Sequence, residues 1–221
     1  MKHALVIGAS GGIGSAITAE LQSRNFSVTG LSRSVDDFDI TDETSVEDAL
    51  VGLDTQFDLI FVATGALEIM GRGPEKSLRE LSVDALQAQF ALNCMGPALV
   101  LRHAARLLPR DRECRFAALS ARVGSIGDNR LGGWYSYRAA KAALNQIIHG
   151  AAIELHRSHK QSICVALHPG TVQTSLTSKY AGGHKTVTAQ EAARNLMNVL
   201  ERLTPSETGL FFDWKGDCIE W

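Results

Sequence analysis

Several features are scarce in this chain of 221 residues, and each scarcity excludes something. There are 4 cysteines, Cys94, Cys114, Cys164 and Cys218, far apart and without a CxxC pair, so neither a disulfide framework nor a cysteine zinc site is indicated. They read as cytosolic thiols, and a cytoplasmic location is expected. Proline is limited to 5 residues, and no low-complexity tract, internal repeat or linker divides the chain, so one domain over residues 1–221 is expected. No sign of charge dominates: 22 basic residues face 24 acidic ones, interspersed, for a net charge of -2. Nothing in that pattern suggests a nucleic-acid footprint or a polybasic membrane patch. No apolar run approaches the length of a membrane span. The expected partners are small molecules.

What the chain does have is alternation. Apolar bursts at 3–8, 26–32, 57–64, 114–120 and 162–170, with a last one in "GLFFDW", read as strands. Between them lie helical patterns: "GIGSAITAELQSR", "TDETSVEDALVGL", one long run from Val83 to Leu108, a second from Tyr135 to Arg157, and a last helix at about 188–203. The opening "MKHALVIGASGGIG" is read as a first strand passing into a glycine turn rather than as a leader. The strands are apolar on both faces, as parallel strands covered by helices on both sides must be. Strand and helix in strict turn predict an α/β fold, a single doubly wound, Rossmann-like parallel sheet. Only "RSVDDFDI" separates the second strand from the helix at Thr41, too little for a parallel crossover. The third strand of the usual order, with its crossover helix, is therefore expected to be shortened or missing, leaving six strands.

The glycines of "GASGGIG", Gly8, Gly12 and Gly14, fall between the first strand and the first helix. There glycine allows a tight turn and a close backbone approach to a pyrophosphate, which the helix N-terminus stabilises. Tyr137 and Lys141 are i and i+4 on one helix face, whereas Tyr135 is displaced from Lys141 by six residues and points elsewhere. An ammonium about 4.5 Å from a phenol, at an effective dielectric near 20, favours the phenolate by roughly 3 to 4 kcal/mol, so Lys141 is expected to lower the Tyr137 pKa by about two to three units. Downstream of the second strand, Arg33 stands between Ser32 and Ser34 where an acid would repel a 2′-phosphate, which favours NADP(H) over NAD(H). His156 and His159 share a helix face but lack a third ligand, so no metal site is expected and a solvated helix end is the reading.

The spacing Gly8-x3-Gly12-x-Gly14 is similar to that of the short-chain dehydrogenase/reductase family. Further marks recur in order: Asp39, "ATG" at 63–65, Asn93, Ser120, Tyr137-x3-Lys141 and "HPGTVQT" at 168–174. Within the family, "SARVGSIGDNRLGGWYSYRAAKAALN" and "FFDWKGDCIEW" resemble the C-factor-like, sniffer-like carbonyl reductase subgroup. The resemblance implies hydride transfer between a nicotinamide and a carbonyl or secondary alcohol. It implies Tyr137 as proton donor and acceptor, Ser120 holding the substrate oxygen, Lys141 also binding the nicotinamide ribose, and Asn93 holding a water. It further implies cofactor contacts from Gly8, Ser10, Gly12, Ile13, Gly14, Ser32, Arg33, Asp39, Ile40, Ala63, Thr64, Gly65, Asn93, Tyr137, Lys141, Pro169, Gly170, Thr171, Val172 and Thr174. Homodimers or homotetramers are implied as well, with the alanine face at Ala139, Ala143 and Ala151 as one candidate surface.

Two departures matter. Val62 and Ala63 stand where the family commonly has asparagines, although Gly65 is retained. Ser120 lies farther before the tyrosine than is usual, which makes Ser125 its rival; Ser120 is preferred because it ends a strand, where doubly wound sheets place ligands. The alternative to an enzyme is a cofactor-binding signalling or regulatory protein of the C-factor type. The segment at 175–187 is read as a substrate lid.

Overall fold

The computed structural model describes residues 1–173 and 186–221. Six parallel strands, β1 (Lys2–Ile7), β2 (Phe26–Leu31), β3 (Leu59–Val62), β4 (Cys114–Leu119), β5 (Ser162–His168) and β6 (Phe211–Asp213), form one sheet in the order β2-β1-β3-β4-β5-β6. The order reverses between β1 and β3, which creates the crevice where such sheets bind ligands. The missing third strand leaves β2 at the edge, only partly buried. The short passage beyond it is a single helical turn, α2 (Arg33–Asp36), followed by Phe38 and Ile40, each 4% exposed, which plug into the core.

Alternating strand residues feed two cores. Leu5, Ile7, Ile60, Val62, Phe116 and Ala118 pack on one face beneath α3 (Glu43–Val51), α5 (Gly96–Arg102) and α7 (Tyr135–Ser158), whereas Val6, Phe61, Ala117, Leu119 and Val165 pack on the other beneath α1 (Gly12–Ser23) and α8 (Ala189–Arg202). Asp42 caps α3 by accepting from the Thr44 and Ser45 amides, as a hydroxyl- and acid-rich helix start should.

The run expected as one long helix is divided. It comprises α4 (Val83–Phe90), a π turn (Ala91–Met95), α5, and α6 (Ala104–Leu107) beyond a break at His103. A π turn inserts one extra residue, which rotates the residues around it relative to a regular helix. Here it coincides with Asn93, which is fully buried. His159 is also fully buried rather than solvated: its ring contacts the Ser158 hydroxyl and the Leu108 carbonyl. No cluster of metal-ligating side chains occurs among the described residues, and no helix among them is long and apolar enough to cross a membrane.

Candidate active site

Both halves of the site lie at the carboxyl ends of the strands. Gly8 leaves β1 with φ +84°, and its amide donates to the Leu31 carbonyl at 2.7 Å. A Cβ on Gly14 would fall 2.0 Å from the Gly8 carbonyl oxygen, so the turn can pack against α1 only without that side chain. The α1 N-cap, Gly11, provides no side-chain cap, and the first turn holds no acid. The amides of Gly12, Ile13 and Gly14 therefore face outward without carbonyl partners in the helix, at its positive end. Ser10, exposed beside them, accepts from the Ser34 hydroxyl at 2.8 Å, tying the turn to α2. Thr64 approaches Gly8, and its Oγ1 is buried without a partner among the described residues. An uncapped helix start, a side-chain-free turn and an orphaned hydroxyl together fit a dinucleotide.

Near Arg33, Asp36 and Asp39 are hydrogen-bonded to other donors. Asp36 accepts from the Ser32 amide at 2.8 Å and from its hydroxyl at 3.2 Å, while Arg33 is exposed and forms no ion pair among the described residues. Asp39 bonds Thr41, whose hydroxyl and amide hold its carboxyl below the usual range, with a smaller contribution from the charge of Arg33.

Farther along the crevice, Gly65, Asn93 and Lys141 converge: a Cβ on Gly65 would lie 2.9 Å from Asn93 Oδ1 and 3.4 Å from Lys141 Nζ. Asn93 accepts from the Ala66 amide at 3.3 Å and donates to the Ala66 carbonyl at 2.9 Å and to Gln89 Oε1 at 2.7 Å. It thus braces the loop after β3 and does not bond its own helix backbone. Lys141, 2% exposed, donates to the Leu119 carbonyl at 2.8 Å, and its Nζ lies 5.8 Å from the Tyr137 ring centroid. Gly124 makes room for this helix face, since a Cβ there would lie 2.8 Å from Lys141 Cβ.

The electrostatics differ from the sequence expectation. Burial pushes the Tyr137 hydroxyl above its usual value, and burial brings Lys141 down to about 7, with only the neighbouring Cys94 opposing the shift. Desolvation is therefore the main cause of both shifts. His168, whose Nδ1 has no partner among the described residues, is likewise lowered to about 4, first by burial and then by Arg122.

The serines are both buried, Ser120 at 4% and Ser125 at 2% exposure. Ser120 follows β4 and donates to Asn145 Oδ1 at 2.6 Å, while Asn145 Nδ2 has no partner among the described residues; Ser125 accepts from the Asp128 amide at 3.0 Å. Asn145, one helical turn beyond Lys141, was missed in the sequence although its i+4 spacing was visible. Also missed was Glu75, 6% exposed, which touches the start of α7 and carries no sequence signal. Pro169 and Gly170 follow β5, with Gly170 at φ +78° against Trp214; Thr171 and Val172 bridge to Val187. Thr174 and most of the expected lid, up to residue 185, lie outside the described residues.

A doubly wound sheet whose crevice joins an anion-accepting helix start to a tyrosine-lysine stripe defines a nucleotide-dependent oxidoreductase. Comparison with known proteins agrees: the family model described as Enoyl-(Acyl carrier protein) reductase matches residues 15–210. The 1-hydroxy-2-glutathionyl-2-methyl-3-butene dehydrogenase of Rhodococcus sp. (strain AD45) is 30% identical over 100% of both chains. The C-signal of Myxococcus xanthus is 35% identical over 60% of this chain and 76% of its own. Among solved structures, a short-chain dehydrogenase/reductase from Burkholderia multivorans with bound NADP superposes with a TM-score of 0.80 at 25% identity, covering 100% of this chain and 99% of that one. The chain belongs to the short-chain dehydrogenase/reductase family.

Proposed function

We propose that the chain is an NADP(H)-dependent oxidoreductase of small-molecule carbonyls and secondary alcohols, with Tyr137 as the group that exchanges a proton with the substrate oxygen. The observation that carries this reading is the placement of Tyr137 and Lys141 on one face of α7 at the mouth of the crevice, with Lys141 anchored to the Leu119 carbonyl. The nicotinamide supplies or accepts the hydride when bound. Tyr137, kept protonated by burial, gives its proton to a carbonyl oxygen during reduction. Lys141, near 7, gains and loses a proton close to neutrality and can hold one beside the phenol. For Ser120 to hold the substrate oxygen, its hydroxyl must turn away from Asn145. The amide of Asn93 is committed to Ala66 and Gln89, so only a remaining lone pair of Oδ1 is left for a water.

Support for NADP(H) comes from Arg33, an exposed guanidinium between Ser32 and Ser34 without an ion pair among the described residues, and from the NADP bound in the Burkholderia neighbour. The signalling alternative is not favoured: the dehydrogenase relative matches over 100% of this chain, the C-signal over 60%. Assembly is expected as a homodimer or homotetramer. A cytoplasmic location is the expectation from the separated thiols.

Steady-state oxidation of NADPH over a panel of aldehydes and ketones tests the reading. Turnover by the wild type, reduced about 100-fold or more in Tyr137→Phe with NADPH affinity nearly unchanged, is the expected result. Undiminished turnover in Tyr137→Phe would overturn it.

A further inference from the structure

Helix α7 begins without a cap of its own. Its N-cap residue, Trp134, provides no side-chain acceptor and sits at φ +52°, an unfavourable region for a bulky side chain, immediately after Gly132 at +63° and Gly133 at +66°. Four helix amides at such a start need partners from elsewhere. Glu75 supplies two of those partners, for the Trp134 and Ser136 amides. The main-chain carbonyl of Glu75 accepts from the Trp134 amide at 2.5 Å, and its carboxylate accepts from the Ser136 amide at 3.2 Å and from the Ser136 hydroxyl. Glu75 lies on the loop after β3, 61 residues earlier in sequence.

These contacts are shut away from water: Glu75 is 6% exposed and Ser136 1%. Among the described residues Glu75 has no ion pair with a lysine or arginine, so its carboxylate is held by N–H and O–H donors at the positive end of the helix. Burying a carboxylate this way is costly unless each donor is correctly placed, and any displacement of the helix start loses the bonds. Tyr137 is the next residue after Ser136, and its ring meets that of Trp134 edge-on, with centroids 6.4 Å apart and planes at 69°. A second fastening, Arg138 donating to the Gly133 and Val123 carbonyls at 3.0 and 3.1 Å, holds the incoming loop against the same turn.

We propose that Glu75 is a positioning residue for the proton transfer: it supplies the cap that α7 lacks and thereby fixes where the Tyr137 hydroxyl stands. The inference rests on the reading of Tyr137 given above. It acts through placement rather than contact with substrate. Misplacing a reacting group by about 1 Å can cost on the order of 100-fold in rate. Glu75→Ala should therefore lower kcat by about 10- to 100-fold, with the Kd for NADPH little changed. Glu75→Gln, which keeps an oxygen acceptor for the Ser136 donors, should restore most of the loss.

The deciding measurement places Glu75→Ala in the Tyr137→Phe background. A residue that acts through Tyr137 should add little once the hydroxyl is gone, because coupled residues are non-additive. The proposal fails if Glu75→Ala reduces kcat by the same factor in both backgrounds, if its loss falls on NADPH affinity instead, or if Gln rescues no better than Ala. If Tyr137→Phe itself retains turnover, the functional reading fails and this inference with it, so the two failures are distinguishable. Should Glu75→Ala not fold, Ser136→Ala, which removes the hydroxyl donor and keeps the main-chain bond, carries the same comparison with a smaller expected loss.

Discussion

The turn after β1 and the start of α7 are both loop-to-helix junctions at the carboxyl end of the sheet, yet they are built in opposite ways. The first is built mainly within the stretch from Gly8 to Gly14, where Gly14 packs on the Gly8 carbonyl and Gly11 opens α1 without a side-chain cap, while Leu31, Ser34 and Thr64 touch it from neighbouring elements. The second is assembled from distant parts: Glu75 caps it, Gly124 admits Lys141, and Lys141 reaches to Leu119. A site for an anion needs open amides, so an unfinished helix start suffices. On the proposed reading of Tyr137, a site for proton transfer needs one atom in one place, which a helix start closed from outside provides.

The contrast extends to electrostatics. Burying the Lys141 amine is unfavourable whenever it is charged, and this should be measurable as stability. Its pKa falls from 10.5 unfolded to about 7 folded, so the unfolded chain binds the proton more tightly between those values. Stability should thus rise with pH across that window, and Lys141→Met should gain stability relative to the wild type at pH 6, offset in part by loss of the bond to the Leu119 carbonyl. That gain should shrink as the pH approaches 10. Urea unfolding at both pH values measures it; a gain independent of pH would show that the amine is not desolvated.

At the other junction the expected effect is steric and somewhat smaller. Gly14→Ala forces a Cβ against rigid backbone and should destabilise the fold by about 3 kcal/mol, the upper end for overpacking. NADPH binding should weaken with it. A variant of unchanged melting temperature would mean that the turn relaxes freely, and the contrast between a rigid local junction and a clamped distant one would be lost.

The smallest effect is expected at the rim of the cofactor half. Because Arg33 is exposed, Arg33→Ala should weaken NADPH binding by about tenfold, the low end for a charge-assisted contact, and leave NADH nearly unaffected. Calorimetric titration of both cofactors into both proteins separates the cases. Parallel losses for NADH and NADPH would assign Arg33 to loop support instead of phosphate recognition.

Much of the fold was legible because it rests on short-range patterns. Apolar bursts located all six strands, and the brevity of "RSVDDFDI" anticipated the missing third one. The division of the run from Val83 to Leu108 was not legible, since a π turn leaves the apolar pattern on either side intact. Within the site, the i, i+4 spacing of Tyr137 and Lys141 was visible from the helical period alone. The direction of their pKa shifts was not: the sequence suggests proximity of charge, whereas the shifts follow from burial, which depends on everything packed around the pair.

The sequence by itself determined the order of elements, the glycine turn and the face that carries Tyr137 and Lys141, because each depends on residues within a few positions of one another. Only the tertiary structure decided that Ser120 donates to Asn145, that Asn93 braces the loop after β3, and that Glu75 accepts from the start of α7. A hydroxyl, a side-chain amide and an uncapped helix start each have several possible partners along the chain, and the choice among them is made by which ones the packed sheet brings within hydrogen-bonding distance.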